Sequence, residues 1–271
     1  MPFGLSAIGI NLGSPNNLSR TATSLNRALS RLSSGLRINN ASDDPAGLAL
    51  AANLDATIAQ MSQASRNVSD AGSALSIADG ALGQVSDITI RMQELATMAA
   101  NGTYSDQQRS ALQAEYTALS QEIQRIGQTT TFNGKNLLDG STMSVQIGSG
   151  GDSLQVGGIN LAELSSAATS QDISTQAGAQ AAMSTVGQFS QDLISQRTQF
   201  IGAPMSRLDS MQNTLSTQTL AQTASLSQIR DADLSSAVVE ATAAKALLQY
   251  QVSMIQQITP LTAGKALSLI G

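Results

Sequence analysis

Residues 16–40 read NNLSRTATSLNRALSRLSSGLRINN, with four arginines and no carboxylate. Within them Leu18, Ala22, Leu25, Leu29, Leu32 and Leu36 recur at alternating intervals of four and three. That is the heptad seam of a helix made to lie against another helix. Gly35 weakens a helix by roughly 1 kcal/mol relative to alanine, so a break is expected soon after it. The seam requires a partner, and the rest of the chain has to supply it.

Helix signals continue downstream. In NNASDDPAGLALAANL, Ser42, Asp43 and Asp44 offer capping oxygens, and Pro45 suits a first helical turn, where its missing N–H has no consequence. SDDP therefore reads as a cap and not as an acid pair for catalysis or metal binding. From Leu54 through Ile58, Met61, Ser65, Val68, Gly72 and Leu75, then Leu82, Val85, Ile88, Met92 and Leu95, the spacing specifies one long helix, or two with a slip in phase. Asn101-Gly102 marks a turn, and Ser105 with Gln108 makes a capping box. Leu112, Tyr116, Leu119, Ile123 and Ile126 then send the chain back as a helical hairpin.

Residues 127–165 change character. Met143, Val145 and Ile147 alternate with small polar residues, as do Leu154 and Val156, which predicts a turn region and a short β-hairpin. The intervening GSGGD reads as a hairpin linker, since no Lys-Ser/Thr follows to make a phosphate loop. Helix returns from about residue 171, with Leu193, Phe200, Leu208, Met211 and Leu215 as buried candidates. Pro204 is expected to kink or restart it.

The partner for the opening seam lies at the other end. From Leu234 to Ile270 the only charges are Glu240, Lys245 and Lys265. Ala237, Ala241, Ala244, Leu248, Gln251, Ile255 and Ile258 repeat the same spacing, while Val238, Val239, Leu247, Tyr250, Val252 and Met254 place apolar groups on other faces. A helix apolar on most sides must be buried on most sides, and one partner helix covers only one of them. Further copies of the chain must cover the rest, and a repeated contact that does not close on itself generates a helical filament. The predicted self-assembly core is Leu18, Leu25, Leu29, Leu32, Leu36, Leu248, Val252, Ile255 and Ile258. The terminal helices are expected to be largely disordered in the monomer and to fold when subunits meet. Arg20, Arg27, Arg31 and Arg37 are either solvated or paired with acids such as Asp43, Asp231, Asp233 or Glu240, with pairing expected for Arg31 and Arg37.

Composition agrees with long helices closed by small side chains: 41% of residues are hydrophobic, but only 3% are aromatic and there is no tryptophan. The fold class is mainly α, an elongated rod of long antiparallel helices with a terminal coiled coil and a short β-hairpin region. Five segments are expected: an N-terminal helical core segment (1–42), an N-terminal arm of the rod (43–140), a β-hairpin region (141–170), a C-terminal arm (171–230) and a C-terminal helical core segment (231–271).

Chemistry is narrowed sharply. The chain has no cysteine and no histidine, which removes disulfides, the usual zinc sites, Ser-His-Asp triads and imidazole acid–base work. Carboxylate- or lysine-based catalysis and oxygen-ligand metal sites stay open, but no catalytic residue, metal ligand or cofactor is predicted. A net charge of −5 argues against nucleic acid as the main partner. No window approaches eighteen apolar residues and the C-terminal helix lacks a strongly charged face, so membrane insertion is not expected. The opening MPFGLSAIGINLGS has no basic residue before its apolar part and fits a cleaved signal peptide poorly.

Three motifs, LSRLSSGLRINNASDDPAGLALA (29–51), TTFNGKNLLDGS (130–141) and IRDADLSSAVVEATAAKALLQYQVSMIQQ (229–257), resemble the N-terminal, mid-chain and C-terminal signatures of bacterial flagellin. They occur in order and cover nearly the whole chain. The resemblance implies a terminal helical domain lining a filament core and a second helical domain with a β-hairpin forming the outer tube. It also implies extracellular polymerisation under a cap protein, export of unprocessed subunits by the flagellar type III apparatus, an export chaperone, and contact with hook-filament junction proteins. Large variable mid-chain domains are missing, so the chain looks like a short form. It departs from the pattern at its end, KALSLIG, where many members finish with Leu-Leu-Arg, and at Pro204.

The resemblance further implies a contact with the vertebrate Toll-like flagellin receptor at Arg91, Leu95 and Glu115, although Gln93 stands where many activators carry a second arginine. The competing reading makes Arg91 and Glu115 ordinary helix-surface charges. Three other functions were weighed. A hook-filament junction protein is the alternative, against which TTFNGKNLLDG argues. A metalloprotease insert has neither room nor histidine. An adhesin would use residues 143–157.

Overall fold

The computed structural model describes residues 15–148, 152–156 and 158–267, with side chains from 16 to 256. The opening MPFGLSAIGINLGS, residues 149–151 of the hairpin linker and the closing residues 268–271 lie outside the described residues. Helices dominate: α1 (Pro15–Ser34), α2 (Pro45–Ala100), α3 (Asp106–Thr129), α4 (Leu161–Thr169), α5 (Gln176–Arg197), α6 (Ala203–Arg230) and α7 (Leu234–Leu267). Two antiparallel hairpins interrupt them, β1 (Thr131–Phe132) with β2 (Lys135–Asn136), and β3 (Met143–Gln146) with β4 (Ser153–Val156). The chain forms two compact units. Unit 2 is Thr57–Leu220, and unit 1 is the chain before and after it; both limits fall inside helices, α2 and α6.

Unit 1 is built on an antiparallel pair, α1 against α7. Its register is visible in Arg31, which reaches Glu240 at 3.4 Å, and in Gln251, whose side chain donates to Thr21 at 3.2 Å. Gly35, at φ +71, ends α1 in the left-handed conformation that a side chain resists, and its N–H closes on the Arg31 carbonyl. The backbone then pairs across the two chain arms. Arg37 N–H donates to the Arg230 carbonyl at 2.6 Å, and Ala232 N–H donates to the Gly35 carbonyl at 3.0 Å. Asp44 caps α2 by accepting from Gly47 N–H at 2.9 Å, and Pro45 opens the helix. Asp43 accepts from the backbone of Asn39 and Asn40, which holds its carboxyl below the usual range. SDDP is thus a cap and a loop staple.

Unit 2 has the conventional core. α2 is one helix of 56 residues, and its Leu82, Val85, Met92 and Leu95 are fully buried with Tyr116 and Ile123 of α3 and Val186 and Leu193 of α5. Ser105 and Gln108 form the complete capping box at the start of α3. Asn133-Gly134, both at positive φ, make the tight turn of the β1–β2 hairpin. The second hairpin buries Val145, Leu154 and Val156 and is tied to α2 by Asn67, which donates to the Gln146 carbonyl at 2.9 Å. Tyr116 donates to the Ala168 carbonyl at 2.6 Å and fastens α3 to α4, with burial pushing its hydroxyl up to about 12.

Two elements differ from the sequence reading. Residues 161–169, expected within the hairpin region, are the helix α4; Asn160 caps it by accepting from Glu163 N–H. Its single buried stripe of Leu161, Ser165 and Ala168 is too short to show a period. Pro204 neither kinks nor restarts its helix abruptly. A π-turn at Thr198–Gly202 precedes it, with Ala203 N–H reaching back to the Thr198 carbonyl. This wider turn accommodates the missing proline donor while the helical path continues.

Two side-chain anchors generate measurable expectations. Arg109 is buried and donates to the carbonyls of Ala99 and Asn101 at 2.9 and 3.2 Å, satisfying the open end of α2. Arg109→Met is expected to lower the unfolding free energy of unit 2 by about 1–3 kcal/mol in urea titration, because those carbonyls lose their donors. Arg197 grips Asp79 through two hydrogen bonds of 2.5 and 2.9 Å, which depress the Asp79 carboxyl below its ordinary 3.8. A depressed carboxylate stabilises fully above its unfolded pKa and ceases to do so as pH falls through its folded value. Asp79→Asn is therefore expected to lower the urea midpoint at pH 7, and that difference from the parent chain should vanish below about pH 3.

Candidate functional site

Among the described residues no group of three or more histidine, cysteine, aspartate or glutamate side chains could hold a metal ion. Chemistry of another kind is prominent. α1 and α7 meet through small residues: Ala28 on one side, and Ala237, Ala241 and Ala244 on the other, are buried. Each alanine methyl contributes only ~0.8 kcal/mol. The larger apolar side chains of both helices face away from this seam.

The predicted assembly residues accordingly divide. Leu18, Leu25, Leu36 and Leu248 are half-buried in unit 1. Leu29 and Leu32, placed on the seam by their spacing, are 48% and 37% exposed, because Thr21, Leu25 and Ala28 turn inward instead. The close approach of alanines selects that neighbouring stripe. Val252 and Ile255 are exposed, and the side chain of Ile258 lies outside the described residues. α7 exposes more than was assigned to the assembly core: Leu234, Val238, Val239 (66%), Leu247 (55%) and Tyr250. Their signal was the all-round apolar pattern of the segment, which the heptad alone does not capture.

The arginines of α1 also separate. Arg31 pairs with Glu240 as expected. Arg37 does not pair with an acid; its guanidinium donates to the Ile229 carbonyl at 2.5 Å, since the crossing of the two arms brings a backbone oxygen to it first.

In unit 2, Arg91 bridges Glu115 at 2.7 Å and Glu94 at 2.9 Å, all three exposed. Leu95 is fully buried and forms no part of that surface, so the structure brings together only two of the three residues assigned to receptor contact. Beside this pair, α2 and α5 border an open groove of about 690 Å³ lined by Ile90, Arg91, Gln93, Met98, Val186 and Gly187, among others.

Comparison with known proteins fits this arrangement. Residues 9–143 match the bacterial flagellin N-terminal helical region, and residues 183–262 match the bacterial flagellin C-terminal helical region. A flagellin of Halalkalibacterium halodurans is 36% identical over 236 residues, which cover 85% of this chain and 86% of that one. The chain belongs to the bacterial flagellin family. It is a structural filament subunit by that membership.

Other flagellins are much longer. The B-type flagellin of Pseudomonas aeruginosa is 45% identical over 51% of the chain, which spans 29% of that relative. A Salmonella muenchen flagellin is 41% identical over 58% of the chain, which spans 31% of that relative. The chain is thus a short flagellin. Among solved structures, Bacillus cereus flagellin superimposes with a TM-score of 0.51 at 32% identity, over 55% of this chain and 88% of that one. A putative flagellar hook-associated protein from Vibrio parahaemolyticus reaches a TM-score of 0.59 over 70% of this chain and 100% of that one, at 18% identity, a likeness of fold alone. Among the described residues no helix is long and apolar enough to cross a membrane.

The groove supplies a test of its own. Nothing lies within 4 Å of where a Cβ on Gly187 would stand. Gly187→Ala is therefore expected to stabilise unit 2 by about 0.5–1 kcal/mol, read as a raised Tm, because a helix-interior glycine is relieved without a clash.

Proposed function

We propose that the chain polymerises helically with copies of itself into an extracellular flagellar filament, driven by the apolar faces that α1 and α7 leave uncovered. The observation carrying this is the exposure of Leu29, Leu32, Val238, Val239, Leu247, Tyr250 and Val252 around a seam made mainly of alanines. Neighbouring subunits bury that surface, and its burial offsets the entropy of ordering the terminal helices as each subunit adds. Unit 1 then forms the filament core and unit 2 the tube around it. Leu18, Leu25, Leu36 and Leu248 align each α1–α7 pair, while Leu29, Leu32, Val252 and Ile255 face neighbours. The filament serves swimming motility and carries no catalytic centre.

The same reading assigns the subunit to type III export without a cleaved signal peptide. An export chaperone masks the apolar C-terminal helix beforehand. A filament cap and hook-filament junction proteins are the contacts at the two ends of the polymer. Arg91 and Glu115 act as surface charges where subunits pack, a role that needs no access to Leu95.

Seeded polymerisation of purified chain tests the proposal. Val239→Asp/Leu247→Asp is expected to leave the Tm of unit 2 unchanged and to abolish elongation. Backbone amides of residues 240–260 should exchange rapidly in monomer and slowly in filaments. Unimpaired elongation of the double variant, or strong protection before assembly, would reject the mechanism.

A further inference from the structure

Unit 1 carries its charge unevenly, and part of that charge finds no counterpart within the subunit. α1 contains no carboxylate. Arg20 and Arg27 make no ion pair and no side-chain hydrogen bond among the described residues. They border an open polar cleft along α1 with Asn16, Ser19, Thr23 and Ser24, and no acid lines it.

The end of the same unit, where α1 hands over to α2 and α6 to α7, has the opposite sign. Asp43, Asp44, Asp231 and Asp233 are gathered in those two joints. Asp43 and Asp44 accept from backbone N–H groups, Asp231 accepts from the Ser227 hydroxyl, and Asp233 caps α7 through Ser235 and Ser236. Every one is held in place, yet none is ion-paired to a cation among the described residues. Arg27 and Arg31 share a small cleft with Asp43 without bonding to it.

A basic strip on the shaft and an acidic end, both unneutralised, complement each other between copies that point the same way and repel between copies that point oppositely. We infer that the Arg20–Arg27 strip of one subunit receives the Asp43–Asp44 and Asp231–Asp233 end of the next copy, fixing the polarity and axial register of the polymer. This rests on the filament-subunit reading above. The apolar faces supply most of the attraction, and the charged contact selects among the ways they can be stacked.

The test compares critical concentrations for elongation on parent seeds. Arg20→Glu/Arg27→Glu and Asp43→Lys/Asp231→Lys should each raise that concentration about tenfold, since each repels itself. An equimolar mixture of the two should return to within about twofold of the parent, because each then meets its complement. Arg20→Gln/Arg27→Gln, the milder pair, should elongate with its NaCl dependence largely removed. The contact is overturned if the Glu pair matches the parent at every NaCl concentration, or if the mixture is no better than its components. A parent that elongates only when phosphate is supplied, with no rescue in the mixture, would assign the strip to a bound anion and likewise overturn it. Failure of the parent chain itself to elongate would instead remove the filament reading on which the contact stands.

Discussion

Ala28 against Ala237, Ala241 and Ala244 lets two helices approach closely, but a methyl covers little area, so the seam leaves most of the circumference of each helix to something else. Everything distinctive about unit 1 follows from that shortfall. The small residues fix which stripe of α1 turns inward, displacing Leu29 and Leu32 to the outside. They also leave the long aliphatic and aromatic side chains of α7 free to meet other chains. A thicker Leu–Leu seam would satisfy more of the surface internally and weaken the drive to associate.

Unit 2 solves the opposite problem. Leu82, Val85, Met92, Leu95, Tyr116 and Ile123 are closed within it, and polar anchors such as Tyr116 to Ala168 and Asn67 to Gln146 hold its small elements on its long ones. One region completes its core alone while the other does not, a division that separates stability of the subunit from assembly of the polymer.

Local chemistry was the most readable part of the sequence. Asp44 before Pro45, and Ser105 three residues before Gln108, specify helix starts because a side-chain oxygen three positions from an amide has few other uses. The single long helix α2 followed from unbroken periodicity, and the turn at Asn101-Gly102 from its dipeptide. Less was legible where geometry between elements decides. α4 is too short for a period, and its cap at Asn160 was the one available sign. The inward stripe of α1 depends on how near α7 comes, which spacing does not contain. Arg37 was matched to acids by charge, whereas the crossing backbone offered it a carbonyl. Leu95 was grouped with Arg91 and Glu115 by resemblance, and only packing reveals that it points into the core.

The π-turn before Pro204 has a consequence for the residues beyond it. Buried positions run Leu193, Ile201, Leu208 and Leu215, an interval of eight followed by two of seven. The widened turn absorbs that one surplus residue, acting as a splice between two stretches whose inward faces would otherwise be out of phase by about 100°. Loss of a single residue there would straighten the hydrogen-bond ladder yet swing Leu208 and Leu215 toward solvent. The irregular turn is what keeps the two regular helices aimed at one interior.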